Sequence, residues 1–177
     1  THYGASDHEV FNDWGVQVPG IMMITWPDRW YHTSGDHVDK TDPTQLKRVA
    51  AIGAAAAYTI AAADDEMAIR IASETAGNGA QRIGHQLARG LAEMELATAD
   101  TLAADYKAAR EHVEAAVINE KDTLETVNEL ASDKARVAAH VAALQKAVDL
   151  AGAAQLAAVD AQMKAVAARL KMPPVVL

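Results

Sequence analysis

The residue types best suited to chemistry lie in two short clusters near the start of the chain. One cluster is Asp7-His8-Glu9, and the other runs from Tyr31 to His37 and includes His32 and Asp36. Imidazole nitrogens and carboxylate oxygens suit zinc, and a ligating histidine normally needs a carboxylate or carbonyl to hold its ring. Spacing alone favours solvated loops over a metal site, because the sequence has no His-Glu-x-x-His motif and no cysteine.

A continuous apolar run from Val18 to Thr25 separates the two clusters and predicts a short buried strand. Glycines and prolines on either side predict loops, so both clusters could meet at one end of that strand. A single strand leaves its backbone donors and acceptors unsatisfied. We therefore expect partner strands, either from sequence upstream, which we favour, or from a second copy of the chain.

Several motifs in this region resemble the end of the catalytic domain in metallopeptidase family 28. They are GASDHEVF at 4–11, GVQVP at 15–19, WYHTSGD at 30–36 and DKTDP at 39–43. The family includes leucyl aminopeptidases, glutamate carboxypeptidases and glutaminyl cyclases. The resemblance covers about residues 4–62. It implies that these residues are the last strand, the zinc-ligand loop and the last helix of an α/β di-zinc exopeptidase domain.

The resemblance also implies roles for individual residues. His32 corresponds to the last of the protein ligands of a pair of zinc ions, and Tyr31 either stabilises an oxyanion or packs beneath the loop. Asp7 would orient groups near the site, and Asp36 would fix the His32 loop by hydrogen bonding. His8 and His37 are expected to be loop residues that do not bind metal.

The other zinc ligands of the family would lie upstream, so we expect this chain alone to lack a complete site and to be inactive. The parent protein is expected to be a secreted or periplasmic metallo-aminopeptidase that acts on peptides. A carboxypeptidase or glutaminyl cyclase of the same fold, or a non-enzymatic helical interaction module, remains an alternative. Because the chain starts at Thr1 without a signal peptide, we expect a processed or truncated product that needs the missing N-terminal part of the catalytic domain.

The charge pattern and the apolar runs limit the remaining classes of partner. The net charge of −8 is spread along the chain without a dense basic cluster, which argues against nucleic acid. Charged or amide residues interrupt the alanine runs, which argues against a membrane span. Without cysteine the chain has no disulfide, but either redox compartment remains open.

The rest of the chain predicts helices. Asp42 and Pro43 open a helix to about Ala63, with Gln45 placed to close a capping box, and no proline follows before Pro173. We expect domains at 1–63 and 64–177, with further helices at about 65–75, 80–130 and 133–171. A break is predicted at 76–79, where two glycines flank an asparagine, and a hairpin reversal at 131–134.

Apolar residues at three- and four-residue steps mark the buried face of the two longer helices. The stripes are Ile83, Leu87, Leu91, Met94, Leu102, Tyr106, Val113, Val117, Leu124 and Val127, then Val137, Val141, Leu144, Val148, Leu156, Val159, Met163, Val166 and Leu170. Two alanine-rich helices bury little area, so we expect this extension either to form a homodimer, which we favour, or to dock on the catalytic domain. His85, His112 and His140 are isolated and are expected to be surface residues.

Overall fold

The computed structural model describes residues 7–13, 15–16 and 20–177. The chain divides into two compact units, residues 1–59 and 60–177. The division falls a few residues before the predicted boundary at 63/64. The prediction of a predominantly helical chain is confirmed, whereas the α/β origin of the first 62 residues stays a prediction.

The first unit is built from short elements and one longer helix. Helix α1 spans His8–Asn12, a 3-10 turn spans Val38–Lys40, and helix α2 spans Pro43–Ala61. Asp42 begins α2 as predicted, because its carboxylate accepts hydrogen bonds from the backbone N–H groups of Thr44 at 2.8 Å and Gln45 at 3.4 Å. The cap satisfies donors that a helix start otherwise leaves unpaired.

The strand predicted from Val18 to Thr25 is not observed over residues 20–25, and positions 18 and 19 lie outside the described residues. Residues 20–25 have no regular secondary structure. A strand requires a hydrogen-bonded neighbour, and the described part of the chain contains no strand that could pair with it. The predicted strand is therefore absent over the described residues 20–25, and its place in a sheet with neighbours from outside this chain stays a prediction.

Helix α2 has an unusual surface for an exposed helix. From Val49 to the end of the alanine run at 63 it carries no charged side chain, and none of its residues is buried. Leu46, Ile52 and Ile60 each expose more than half of their surface. No helix in the described residues is long and apolar enough to cross a membrane.

The second unit is a three-helix bundle. Helix α3 spans Asp65–Glu95, α4 spans Leu102–Glu125, and α5 spans Lys134–Arg169, with a 3-10 turn at Thr126–Leu130 before the last reversal. Each helix packs against the other two. The connections are short, so successive helices run antiparallel.

The predicted helix break at 76–79 is wrong, because α3 runs through it without interruption. Gly79 is buried against α4, and a Cβ atom there would lie 2.7 Å from Oε2 of Glu120. At this position the glycine leaves room for the Glu120 side chain and does not end the helix. The local signal for a turn was therefore overridden by packing.

The predicted continuous helix over 80–130 is also wrong, because the chain reverses at 96–101. This connection has neither glycine nor proline and uses threonine hydroxyls instead. The backbone N–H of Thr98 donates to Oγ1 of Thr101 at 3.1 Å, and Leu102 N–H donates to the Thr98 carbonyl at 3.0 Å. The threonine hydroxyl can form local hydrogen bonds with the backbone in place of helical ones, but threonine in a sequence predicts a turn only weakly.

The predicted apolar stripes do form the core. Most of their residues are buried, and Leu87, Leu91, Val117, Leu144, Leu156 and Leu170 are partly buried against that core. In the described residues, the largest side chains that are almost wholly excluded from solvent are Ile83, Met94, Leu102, Val113, Leu124, Val137, Val141, Val159 and Val166. The periodicity located the buried face correctly even where the reversal between helices was misplaced.

The reversal near Ser132 is where it was expected, and it is tied to the start of α3. The carboxylate of Asp65 accepts hydrogen bonds from the backbone N–H groups of Ser132 at 2.7 Å and Asp133 at 3.1 Å. Asp133 in turn caps α5 through the N–H of Arg136 at 3.2 Å. The Asp65 carboxylate therefore ties this turn to the start of α3.

Polar contacts also cross the helix interfaces, among them those of Glu120 and Asp160. Arg82 on α3 donates to both carboxylate oxygens of the buried Glu120 on α4, each at 2.6 Å. On α5, Asp160 accepts from the Tyr106 hydroxyl at 2.8 Å and from Arg110 at 2.6 Å. These bonds, that of Tyr106 above all, hold the pKa of Asp160 below its usual value.

Candidate functional site

The candidate site is a turn formed by residues 30–33. The backbone N–H of Thr33 donates to the carbonyl of Trp30 at 3.0 Å, which closes the turn around Tyr31 and His32. His32 has a φ of 59°, in the left-handed region that side chains with a Cβ rarely adopt. A histidine takes the place in the turn where glycine or asparagine is usual. Such outliers often occur at functional sites.

A second turn follows directly and shares a residue with the first. The Thr33 hydroxyl donates to the Trp30 carbonyl at 2.7 Å, and it accepts from the Gly35 N–H at 3.2 Å. The N–H of Asp36 donates to the Thr33 carbonyl at 3.2 Å. Thr33 therefore belongs to both turns, and its side chain connects them.

Gly35 is required by close packing against Trp30. A Cβ atom at position 35 would lie 2.8 Å from Cε3 of the indole ring. The other contacts of Trp30 are its backbone N–H to the Asp28 carboxylate at 2.8 Å and Lys40 Nζ at 4.8 Å from the ring centroid. The loop is thus built around one anchored tryptophan.

Three aromatic rings form a continuous row that ends at His32. The rings of Tyr31 and His32 stack with centroids 3.9 Å apart and an interplanar angle of 18°. Trp26 meets Tyr31 edge to face at 5.9 Å. The ring of Tyr31 limits the orientations open to the imidazole, whereas its packing beneath the loop stays a prediction. The oxyanion role stays a prediction.

A broad open depression adjoins this row. Its volume is about 1360 Å³, and it is lined by Met22, Met23, Ile24, Thr25, Trp26, Pro27, Asp28, Arg29, Trp30, Tyr31, Lys40, Thr41, Asp42, Gln45, Leu46 and Val49. The lining is mostly apolar or aromatic, with a few charged residues of both signs among it. A ligand with an apolar group could be held close to Tyr31 and His32.

The remaining predicted site residues are not gathered around His32. Asp7 lies exposed just before α1, and Gly20 approaches α1 so closely that a Cβ would lie 3.0 Å from the His8 carbonyl oxygen. Asp36 and His37 lie in the same loop as His32, tied by backbone bonds to Thr33 and Gly35. Within the described residues, no hydrogen bond joins the Asp36 carboxylate to the His32 ring, so its proposed role stays a prediction.

The residues that the structure describes do not supply a zinc site. They contain no group of three or more histidine, aspartate or glutamate side chains that could hold a metal ion. His32 therefore offers one ligand, and a zinc ion bound there would need others.

Two of the three histidines of the bundle make contacts between helices. His140 Nε2 lies 3.1 Å from the Ser73 hydroxyl, and His112 Nε2 lies 3.8 Å from the Glu93 carboxylate. His85 is exposed. Ser73 also donates to the Ile69 carbonyl at 2.9 Å, so its hydroxyl proton is already engaged and the Ser–His pair does not resemble an activated nucleophile.

Thr33, Trp30 and Gly35 were missed as contributors to the site, although all three are in the motif around His32. Their only signal in the sequence was a hydroxyl residue and a glycine following His32 at turn spacing. Which backbone group the hydroxyl would bind, and which ring the glycine would meet, depends on the folded loop.

Comparison with known proteins agrees with the motifs of the first unit. Residues 1–57 match the model of peptidase family M28. No curated protein matches the chain, and no solved structure matches it either. The matched segment contains Tyr31, His32 and Asp36 and ends within α2. The resemblance inferred from the motifs is therefore confirmed, and residues 1–57 are similar to part of a peptidase family M28 domain.

Proposed function

We propose that the first unit is the closing segment of a zinc-dependent exopeptidase domain, and that the complete protein is an aminopeptidase that releases N-terminal residues from peptides. The family match over residues 1–57 is the observation that carries this proposal. The left-handed turn at His32 supports it, because a strained histidine beside an open depression is typical of a functional position.

His32 is proposed as the single zinc ligand from this chain. A pair of zinc ions, when bound in the complete domain, would activate the attacking water. The contribution of this chain is to hold the His32 imidazole in a fixed direction against the ring of Tyr31. The depression beside Tyr31 is proposed to receive an apolar substrate side chain.

The test is to obtain the coding sequence upstream of Thr1 and to express the complete protein. With zinc, we expect release of amino acids from aminoacyl p-nitroanilides, with apolar side chains preferred. The 177-residue chain is the matched control and should show no turnover under the same conditions. Metal-dependent turnover by the isolated chain would contradict the proposal that the other zinc ligands come from the rest of the domain.

The alternative enzymes of the same fold are separated by their substrates. Release of C-terminal residues from N-blocked peptides would identify a carboxypeptidase. Formation of pyroglutamate from N-terminal glutamine would identify a glutaminyl cyclase. An upstream sequence without further histidine and carboxylate ligands would instead remove the enzymatic proposal altogether.

A non-enzymatic interaction module is the second candidate, because residues 60–177 have an extensive core of their own. The expected homodimer rested on two helices that bury too little area, and three helices pack together instead. Dimerisation is therefore a proposal to be tested on its own. Light scattering on the 177-residue chain would decide it, with a monodisperse monomer as the outcome against it.

A further inference from the structure

The left-handed turn at His32 depends on one neighbouring side chain. We propose that Thr33 is a positioning residue whose hydroxyl holds His32 in its left-handed conformation. The inference rests on the proposed function, in which His32 binds zinc, and it adds a residue that acts through His32 without touching a metal or substrate.

The backbone of His32 provides little to maintain this conformation by itself. Its φ of 59° is unfavourable for a residue with a Cβ, and residues 31–34 are all exposed. One backbone bond, from Thr33 N–H to the Trp30 carbonyl, closes the turn. An exposed turn with one such bond and an unfavourable φ would open readily.

The Thr33 hydroxyl adds two hydrogen bonds, one to each of the two turns. It donates to the same Trp30 carbonyl at 2.7 Å and accepts from the Gly35 N–H at 3.2 Å. Opening the turn at His32 would break the first bond and release the second turn from the first. The hydroxyl therefore couples the conformation of His32 to the whole loop.

The acceptor at Trp30 is itself held in place. The Trp30 N–H is bonded to the Asp28 carboxylate at 2.8 Å, and its ring packs against Gly35 closely enough to exclude a Cβ. The hydroxyl thus binds a fixed carbonyl and not a mobile one. Fixing the His32 ring before a ligand arrives reduces the ordering that binding would otherwise require.

The substitution Thr33→Val tests this directly, because valine keeps the branched shape and removes the hydroxyl. Thr33→Ser retains the hydroxyl, and Ser34→Ala removes a neighbouring hydroxyl as the matched control. Each exposed hydrogen bond changes the equilibrium constant between the closed and the open turn by roughly a factor of two to ten. Thr33→Val removes two such bonds, so we expect it to lower the ratio of closed to open turn about ten-fold. A turn closed about nine-tenths of the time would then be closed about half of the time.

The readout is the carbon-bound ring proton signals of His32 in NMR spectra of the metal-free 177-residue chain. Stacking on Tyr31 shifts these protons upfield, and the shift disappears as the turn opens. The His32 signals are assigned by their loss in His32→Gln, and His37 is the internal reference. We expect Thr33→Val to lose about half of the shift, whereas Thr33→Ser and Ser34→Ala keep it.

Three outcomes would overturn the proposal: an unchanged His32 shift in Thr33→Val, an equal loss in Thr33→Ser, or an equal loss in Ser34→Ala. Signals from the bundle report separately on whether each variant is folded. The experiment uses neither zinc nor peptide. A complete protein without peptidase activity would therefore refute the proposed function without changing this result, and the reverse also holds.

Discussion

Adding one methyl group to Gly90 tests how closely α3 approaches α4. Gly90 is buried, and a Cβ atom there would lie 2.7 Å from the Cβ and 3.0 Å from the Cα of Ala109. Neither atom belongs to a flexible side chain, so the helices themselves must move apart. In the same helix, an added Cβ at Gly77 would meet nothing within 4 Å, which makes Gly77→Ala the matched control.

The expected magnitudes follow from two opposing effects. Replacing glycine by alanine inside a helix stabilises it by about 1 kcal/mol, and this gain applies to both variants. Overpacking at Gly90 costs about 1–3 kcal/mol in addition. Gly77→Ala should therefore be more stable than the unmodified chain. Gly90→Ala should be less stable than Gly77→Ala by the whole steric penalty.

The assay is urea unfolding followed by circular dichroism, with the free energy of unfolding taken from the midpoint and slope. A difference of about 2 kcal/mol separates the two midpoints by about 1 M at a slope of about 2 kcal/mol/M. The double variant Gly90→Ala/Ala109→Gly moves the methyl group across the interface. It should be more stable than the sum of the single changes predicts, because the clash is absent.

Equal stability of Gly90→Ala and Gly77→Ala would refute the close approach of α3 and α4 at this point. A destabilised Gly77→Ala would refute a different part of the reasoning. It would mean that the helix does break near position 77, as the glycine pattern in the sequence suggested.

Three further predictions concern polar contacts and the site. The hydrogen bond from Tyr106 is the main reason why the pKa of the Asp160 carboxyl is lowered in the folded protein. A lowered pKa stabilises the fold at pH values above the pKa of the unfolded chain, and this stabilisation is lost as the pH falls through the folded-state pKa. Asp160→Asn should therefore make the free energy of unfolding decrease less steeply below about pH 4. Arg82→Ala leaves its buried glutamate partner unpaired and should reduce the free energy of unfolding by about 1–3 kcal/mol in urea titrations, whereas an unchanged midpoint would show that solvent replaces the arginine. In the complete protein, His32→Ala should remove zinc and lower kcat/KM by several orders of magnitude. If the Tyr31 hydroxyl stabilises an oxyanion, Tyr31→Phe should lower kcat/KM roughly ten- to a thousand-fold and leave the zinc content unchanged.

The sequence predicted the parts of the fold that depend on local composition. The stripe that includes Val137, Val141 and Val159 located a buried face, since the helical period alone decides which side chains share it. The cap at Asp42 was also predicted, because it acts on the next two or three residues. These features need no information about distant parts of the chain.

The errors arose where distant contacts decide the outcome. Gly79 was interpreted as a turn, whereas its position against Glu120 on another helix accounts for it. The reversal at 96–101 was missed because Thr98 and Thr101 replace the expected glycine. At the site, the resemblance of the motifs placed His32 in a segment similar to a peptidase domain, but its left-handed backbone and the hydroxyl that binds the Trp30 carbonyl follow from the folded loop.

The cap from Asp65 to Ser132 joins positions 67 residues apart in the chain. Closing so long a loop is entropically unfavourable, so this contact is expected to form after the antiparallel helix pairs that have short connections. A contact made late contributes little to the folding transition state and much to the barrier against unfolding. The carboxylate of Asp65 is therefore expected to slow the unfolding of the bundle more than it speeds its folding.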